Sequence, residues 1–404
     1  MFPFPLPLLL DGATGTGLMA AGMPQGVCTE QWVLEHPDVL ERLQQTYTEA
    51  GSQALYAPTF GANRTVLSRH HLEDRLAEMN RDLLALTKAR GVLTGADLSP
   101  TGLLPAPYGE ASFDEIFAVY DEQVAVLEQG EPDFYVIETM TCLQEARAAL
   151  LAVKKHSRRP VFVTVTVDTK GRTLCGNDAL ACLTVLQGLG ADAFGFNCSG
   201  GPLEMLPTVE RVAPYAHVPL IVKPNAGLPD LSSGTAVFPL CPEEFAQAVL
   251  RLQQAGACIF GGCCGTTPAH ISALKEVLVQ GPAYSGDFPH TFIAANEREG
   301  MFLRGPADLS PLIRCTDAVG DDLLEAEDEG YFAAQVLFES TDDADVFLEN
   351  AYLLHLPLAV RCDDAETLEY LLTRFCGRAL LAPESQLTQE QAEQAARKFG
   401  LYLL

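Results

Sequence analysis

Two cysteines stand side by side in Gly261-Gly262-Cys263-Cys264-Gly265-Thr266-Thr267-Pro268. They follow an apolar run, Ala257-Cys258-Ile259-Phe260, and precede a helix start with Thr267 as N-cap and Pro268 in the first helical position. A third thiol has the same setting, because Phe194-Gly195-Phe196-Asn197-Cys198-Ser199-Gly200-Gly201-Pro202 again carries an apolar run into cysteine and glycines. Thiolates are soft ligands, and three of them at strand ends suggest a site for one soft cation, zinc being the first candidate. A zinc with three protein ligands keeps a fourth position open, and a thiol entering there loses its proton. The competing reading makes Cys263 and Cys264 core residues or a redox pair, although adjacent cysteines rarely bridge without strain and flanking glycines suit a core strand poorly.

Asp11 and Glu138 are placed just past the first and fourth apolar runs. Two carboxylates on one rim can bind a substrate ammonium, and the turn at Gly12, Ala13 and Thr14 has N–H groups that can hold its carboxylate. Together these residues describe an amino-acid pocket; the plainer alternative is a turn aspartate and a helix-capping glutamate. Other polar features carry less chemistry. Gly12, Gly15 and Gly17 do not have G-x-G-x-x-G spacing. His70 and His71 fall in a helical, charged segment, and His270 lies on the helix after Pro268, so all three are read as surface or core residues. Asp342, Asp343, Asp345, Asp363 and Asp364 fall at helix starts, where acids complement the helix dipole.

These groups need elements to aim them. Apolar runs alternate with helical patterns, the pattern of βα units on a parallel sheet. Strands are expected to end at Leu10, Tyr56, Leu93, Ile137, Val167, Phe196, Val222 and Phe260, with Met1 to Leu10 as the first. Helices are expected over Pro37 to Ala50, from the capping box Ser112-Phe113-Asp114-Glu115 to Gly130, over Pro242 to Gln254, and over Pro268 to Gln280. Polar or Gly-rich segments follow every strand, including Asp97-Leu98-Ser99-Pro100-Thr101-Gly102 after the third and Lys223-Pro224-Asn225-Ala226-Gly227 after the seventh. A site on one rim of an α/β (β/α)8 TIM barrel fits this layout, with a doubly wound open sheet as the alternative. The barrel is assigned to residues 1–282, and residues 281–291 read as a linker. Residues 283–404 read as a small C-terminal α/β extension of about three βα units, with strands over Tyr331 to Phe338, Leu356 to Val360 and Arg378 to Ala382 and helices over Ala344 to Leu354, Ala365 to Phe375 and Gln389 to Phe399; so few units cannot close a barrel.

Composition narrows the partners. A net charge of −27 argues against nucleic acid and anionic membranes, which are bound by clustered Lys and Arg. No run approaches the ~20 apolar residues of a membrane span, and the opening segment lacks the basic start and cleavage pattern of a signal peptide. Twelve cysteines, several inside apolar patterns, look like reduced thiols rather than a disulfide framework, so a cytoplasmic location is expected.

The motif set Asp11-Gly12-Ala13-Thr14-Gly15-Thr16, Thr59-Phe60-Gly61-Ala62-Asn63, Glu138-Thr139, Asn197-Cys198-Ser199, Lys223-Pro224-Asn225-Ala226-Gly227 and Gly261 to Pro268 resembles the zinc-dependent homocysteine S-methyltransferases. The resemblance runs over roughly residues 5 to 282 and is nearest to the homocysteine-binding module of cobalamin-dependent methionine synthase. It implies one Zn²⁺ on Cys198, Cys263 and Cys264, with homocysteine as thiolate in the fourth position. It also implies that Asp11 and Glu138 hold the amino group, with Gly12, Ala13 and Thr59 near the carboxylate. Homocysteine would become methionine without a general base. Ser99 stands where the family usually carries glycine, and Ala57-Pro58 replaces a more typical Thr-Asn. Thr139 stands where betaine-dependent members look to have an aromatic residue able to face a quaternary ammonium. The implied donor is therefore methylcobalamin on a separate corrinoid protein; S-methylmethionine, S-adenosylmethionine or betaine is the alternative, and a non-catalytic zinc-binding subunit or a methyltransferase for another thiol is a further one. The extension is weakly similar to part of a pterin-binding barrel and reads as an accessory domain, a candidate docking surface for the corrinoid protein.

Overall fold

The computed structural model describes residues 2–228, 238–279, 293–303 and 308–404. The chain divides into two compact units, Met1–Cys175 with Ala191–Asp287, and Gly176–Gly190 with Phe288–Leu404. The expected linker at 281–291 and the expected boundary at 282 lie outside the described residues.

The first unit is built on β1 (Leu8–Leu9), β2 (Ala54–Tyr56), β3 (Leu93–Leu98), β4 (Phe134–Met140), β5 (Val161–Val165), β6 (Ala193–Asn197), β7 (Leu220–Lys223) and β8 (Ala257–Phe260). All paired neighbours are parallel, in the order β1-β8-β7-β6-β5-β4-β3-β2. The seam between β1 and β2 is closed by Gln53, whose amide donates to Leu9 O at 2.7 Å while its side chain accepts from Leu9 N at 2.8 Å. The result is a (β/α)8 TIM barrel. Alternate strand residues fill its interior, among them Leu8, Tyr56, Phe134, Phe162, Ile221 and Ile259. Gly95 faces Phe134 so closely that a Cβ there would come within 2.5 Å of the ring. Strand β6 crosses still nearer to its neighbour, since a Cβ on Gly195 would lie 1.9 Å from Ile221 O.

Several expectations change. Leu93 opens β3 instead of closing it, because the strand continues through Thr94, Gly95 and Ala96, small residues that mask the apolar pattern. The opening segment forms a strand only at Leu8–Leu9; Phe2 instead stacks on Phe162 and Phe4 meets Phe134 edge-on, at 5.6 and 5.9 Å between ring centroids. His70 and His71 lie in a turn beyond the helix Arg64–Ser68, with His71 at φ 57°. The helix from Pro268 ends at Val277. Helices Pro37–Ala50, Phe113–Gln129 and Pro242–Gln254 lie where their caps placed them.

The second unit holds the hairpin β9 (Ile293–Ala295) and β10 (Gly300–Phe302), and a parallel sheet of β11 (Ile313–Arg314), β12 (Ala334–Phe338), β13 (Leu358–Cys362), β14 (Leu380–Leu381) and β15 (Tyr402–Leu403) in sequential order. The three expected strands become five, because β11 and β15 are only two residues long and leave no readable period. Helices Val319–Asp328, Thr341–Asn350, Ala365–Arg374 and Gln389–Phe399 connect them. The acids at 343 and 364 cap helices through Ser340 and Thr367, as ordinary helix starts do. Helix Ala179–Gly188 groups with this unit and is buried from Ala179 through Leu186, as expected of a helix that is apolar on every face. No helix among the described residues is long and apolar enough to cross a membrane.

Candidate functional site

The C-terminal ends of the barrel strands carry the chemistry. After β8 the chain turns sharply under Thr266, whose hydroxyl donates to Cys263 O at 2.7 Å and accepts from Ala13 N at 3.1 Å. Gly262 is required there, since a Cβ would meet the Thr266 hydroxyl at 2.3 Å, and Gly265 adopts φ 80°. Cys198, directly after β6, has φ 53°, a left-handed conformation uncommon for a side-chain-bearing residue. Backbone bonds join the loops: Cys198 N donates to Lys223 O, Cys263 N to Pro224 O and Ala226 N to Cys264 O.

The Sγ atoms of Cys198, Cys263 and Cys264 all lie within 4.8 Å of one another, and those of Cys198 and Cys264 are 3.8 Å apart. Three sulfurs on a tetrahedral zinc with bonds of about 2.3 Å would be about 3.8 Å apart. In both donor type and spacing the triad could hold such an ion. Hydrogen bonds from Cys198 and then Cys263 pull the Cys264 thiol below its ordinary range. All twelve cysteines are free of disulfides.

Beside the triad is a buried charged cluster. Lys223 Nζ donates to Asp11 Oδ1 at 3.0 Å, lies 4.0 Å from Glu138 Oε2, and sits 3.7 Å from the centroid of the Tyr56 ring. Burial alone would lower the Lys223 pKa; Asp11, Tyr56 and Glu138 outweigh it and hold the ammonium. Burial pushes Glu138 up to about 7, against the opposing pull of Lys223, and raises Asp97 well above the usual carboxylate range. Asp97 Oδ1 is buried without a hydrogen-bond partner. Around Glu138 the strand is irregular, with a register shift between Ile137 and Met140 and Thr139 at φ 62°. Asn197 holds that irregularity, accepting from Thr139 N at 2.8 Å and Thr164 Oγ1 at 2.9 Å while donating to Thr139 Oγ1 at 2.7 Å.

The structure therefore brings Cys198, Cys263, Cys264, Asp11 and Glu138 to one rim but assigns some of them other partners. Both Asp11 oxygens are taken, Oδ1 by Lys223 and Oδ2 by Tyr56 N at 2.8 Å. Thr59 is buried; its hydroxyl donates to Asp97 O and accepts from Asp97 N, so it ties the second strand's end to β3. The Ala13 amide is spent on Thr266, leaving Gly12 and the first-turn amides of the helix Thr14–Ala20, which have no intrahelical acceptor. His270 is a core residue bonded to Thr267 and Leu240 O. Sequence reasoning assigned no role to Lys223, Asp97 or Asn197. The signal for Lys223 was a charge directly after Leu220-Ile221-Val222, at the end of a barrel strand where function concentrates.

The family model for homocysteine S-methyltransferase matches residues 8–278. Methionine synthase of Mycobacterium tuberculosis is 35% identical over 282 residues, covering 65% of this chain and 24% of that protein. Methionine synthase of Mycobacterium leprae is 33% identical over 291 residues, covering 67% and 24%. The chain thus spans about a quarter of the length of these relatives. Among solved structures, the homocysteine methyltransferase MmuM from Escherichia coli in its metallated form is 23% identical with a TM-score of 0.57, covering 67% of this chain and 95% of that one; the apo form gives 24% and 0.55 over the same shares. These structural likenesses bear on the fold.

Proposed function

Since the chain belongs to the homocysteine S-methyltransferase family, we propose that it transfers a methyl group to the sulfur of homocysteine, yielding methionine. The observation that carries the reading is the convergence of three thiols within 4.8 Å on the rim that also carries the Asp11, Lys223 and Glu138 cluster. Cys198, Cys263 and Cys264 would hold zinc, which when bound keeps a substrate thiol ionised at neutral pH. Glu138 and Asp11 receive the substrate ammonium beside Lys223, which bonds to Asp11 at 3.0 Å. Gly12 and the helix start beyond it offer amides to the substrate carboxylate, while Ala13 shapes that turn.

The donor we propose is a methylated corrinoid carried by a separate protein, for which the second unit is a candidate docking surface. Thr139 supports this choice over betaine, because it offers no aromatic face to a quaternary ammonium. A cytoplasmic location is supported by twelve unbridged thiols, which persist in a reducing compartment.

The test supplies the zinc-loaded protein with homocysteine and, in parallel, methylcobalamin, S-methylmethionine or betaine. Methionine from methylcobalamin alone is the expected result. Turnover with a small sulfonium or betaine would replace the donor assignment and leave the site reading intact. Thiol exchange at the zinc with no methionine from any donor would instead describe a non-catalytic zinc-binding subunit.

A further inference from the structure

The buried cluster sets one cation, Lys223, among three carboxylates, and one of those acids lacks a partner. Lys223 Nζ donates to Asp11 Oδ1 at 3.0 Å and lies 3.7 Å from the centroid of the Tyr56 ring. Asp97 is 5% exposed, and its Oδ1 is buried with no hydrogen-bond partner among the described residues. Thr59 bonds only to the Asp97 backbone, so it does not spend that carboxylate. Sheet register places the acid beside the lysine. Tyr56 pairs with Gly95 on the neighbouring strand and Asp97 lies two residues further on, so its side chain shares the interior face that carries the Tyr56 ring. The Lys223 charge reaches it there, against the burial that raises its pKa. An unpaired buried carboxylate oxygen is costly, so it calls for a partner in some state of the protein.

An incoming α-ammonium creates that state. Both Asp11 oxygens are engaged while Lys223 stays, since Oδ2 accepts from Tyr56 N at 2.8 Å. Two ammonium groups on one buried carboxylate would also repel each other. We propose that Asp97 is a positioning residue that takes over the Lys223 ammonium when homocysteine binds: Nζ slides across the Tyr56 ring from Asp11 to Asp97 Oδ1, and the substrate ammonium enters between Asp11 and Glu138. The inference rests on the homocysteine reading given above. Asp97 Oδ1 is sealed from solvent, so a side chain already inside the barrel reaches it where the substrate does not. Tyr56 Oη is also buried without a partner, but a neutral phenol is a weaker acceptor for an ammonium than a carboxylate. Lysine suits the role, because its ammonium is a compact charge on a flexible stem. Its backbone stays in place, held by the bond from Cys198 N to Lys223 O at 3.2 Å, so the move leaves the thiol triad undisturbed.

The experiment is a double-mutant cycle of Asp97→Asn and Lys223→Met. Calorimetry on the zinc-loaded protein compares homocysteine with 4-mercaptobutyrate, the same thiol and carboxylate without the amino group. Where Lys223 is present, Asp97→Asn is expected to weaken homocysteine binding about tenfold relative to 4-mercaptobutyrate, since the lysine then has no charged alternative to Asp11. In the Lys223→Met background the same substitution is expected to change that ratio by less than about twofold, because no cation has to move. An effect of equal size in both backgrounds would mean that Asp97 acts on the substrate without Lys223 and would overturn the proposal. Equal weakening of both thiols, the mark of a purely structural role, would overturn it too. Should a variant fail to fold, a crystal structure of the wild type with zinc and homocysteine decides: Lys223 Nζ within hydrogen-bond distance of Asp97 supports the proposal, and Nζ still on Asp11 sinks it. A wild type that binds no homocysteine would instead count against the homocysteine reading and remove the premise with it.

Discussion

Cys198, Cys263 and Cys264 reach one another from strand ends 66 residues apart in sequence, as the Cys198 and Cys264 pair shows. Each offers one soft ligand, so replacing any of them with alanine is expected to abolish zinc retention and methyl transfer together, read as metal stoichiometry after dialysis alongside methionine formation. Glu138 supplies a pH prediction. Its carboxyl is pushed up to about 7 by burial, and an ammonium requires the ionised form. Homocysteine affinity of the metal-free protein should therefore rise as pH climbs toward 7 and level off above it; Glu138→Gln should flatten that rise in calorimetric titrations. The same shift acts on stability with the opposite sense. The folded carboxyl keeps its proton up to about 7 while the unfolded one releases it near 4.5, so this group's contribution is fully present below 4.5 and lost as pH rises through 7. The thiol ligand set was legible from residue type and glycine flanks; the commitment of the Thr59 hydroxyl to Asp97 was not, because no local pattern marks which acceptor a buried hydroxyl finds.

Strands and helices position these residues by close approach as much as by pattern. Gly195→Ala would drive a Cβ to 1.9 Å from Ile221 O, a backbone atom that cannot rotate away. It is expected to cost about 3 kcal/mol or more in urea unfolding, with zinc binding lost because Cys198 directly follows the same strand. The starts of the helices at Ser112 with Glu115 and at Pro242 were readable to the residue, since a cap is a local arrangement of a few side chains. Strand β3 was not, because Gly95 is small for the sake of the Phe134 ring on the neighbouring strand and interrupts the apolar run. The irregularity at Glu138 and Thr139 likewise depends on Asn197 of another strand.

At the scale of the whole molecule, twelve thiols without a bridge predict a simple titration: denatured, chelator-treated protein should show twelve reactive thiols, with none gained on adding reductant. Extra thiols after reduction would contradict both the free cysteines and the reducing compartment. The expected extension of three βα units proved to be a five-stranded sheet whose unit also includes helix Ala179–Gly188, a segment far away in sequence. Its all-round apolar surface was the available clue. By itself the sequence determined the alternation of βα units, the order in which the motifs follow the strands, and the three thiols as metal-ligand candidates, because periodicity, caps and ligand type belong to contiguous residues. Only the tertiary structure decided which partner Asp11 finds. Lys223 and Asp11 are 212 residues apart and meet at 3.0 Å because closure of the barrel brings the ends of β1, β2 and β7 together, and charge neutralisation depends on that distance rather than on any neighbour in the chain.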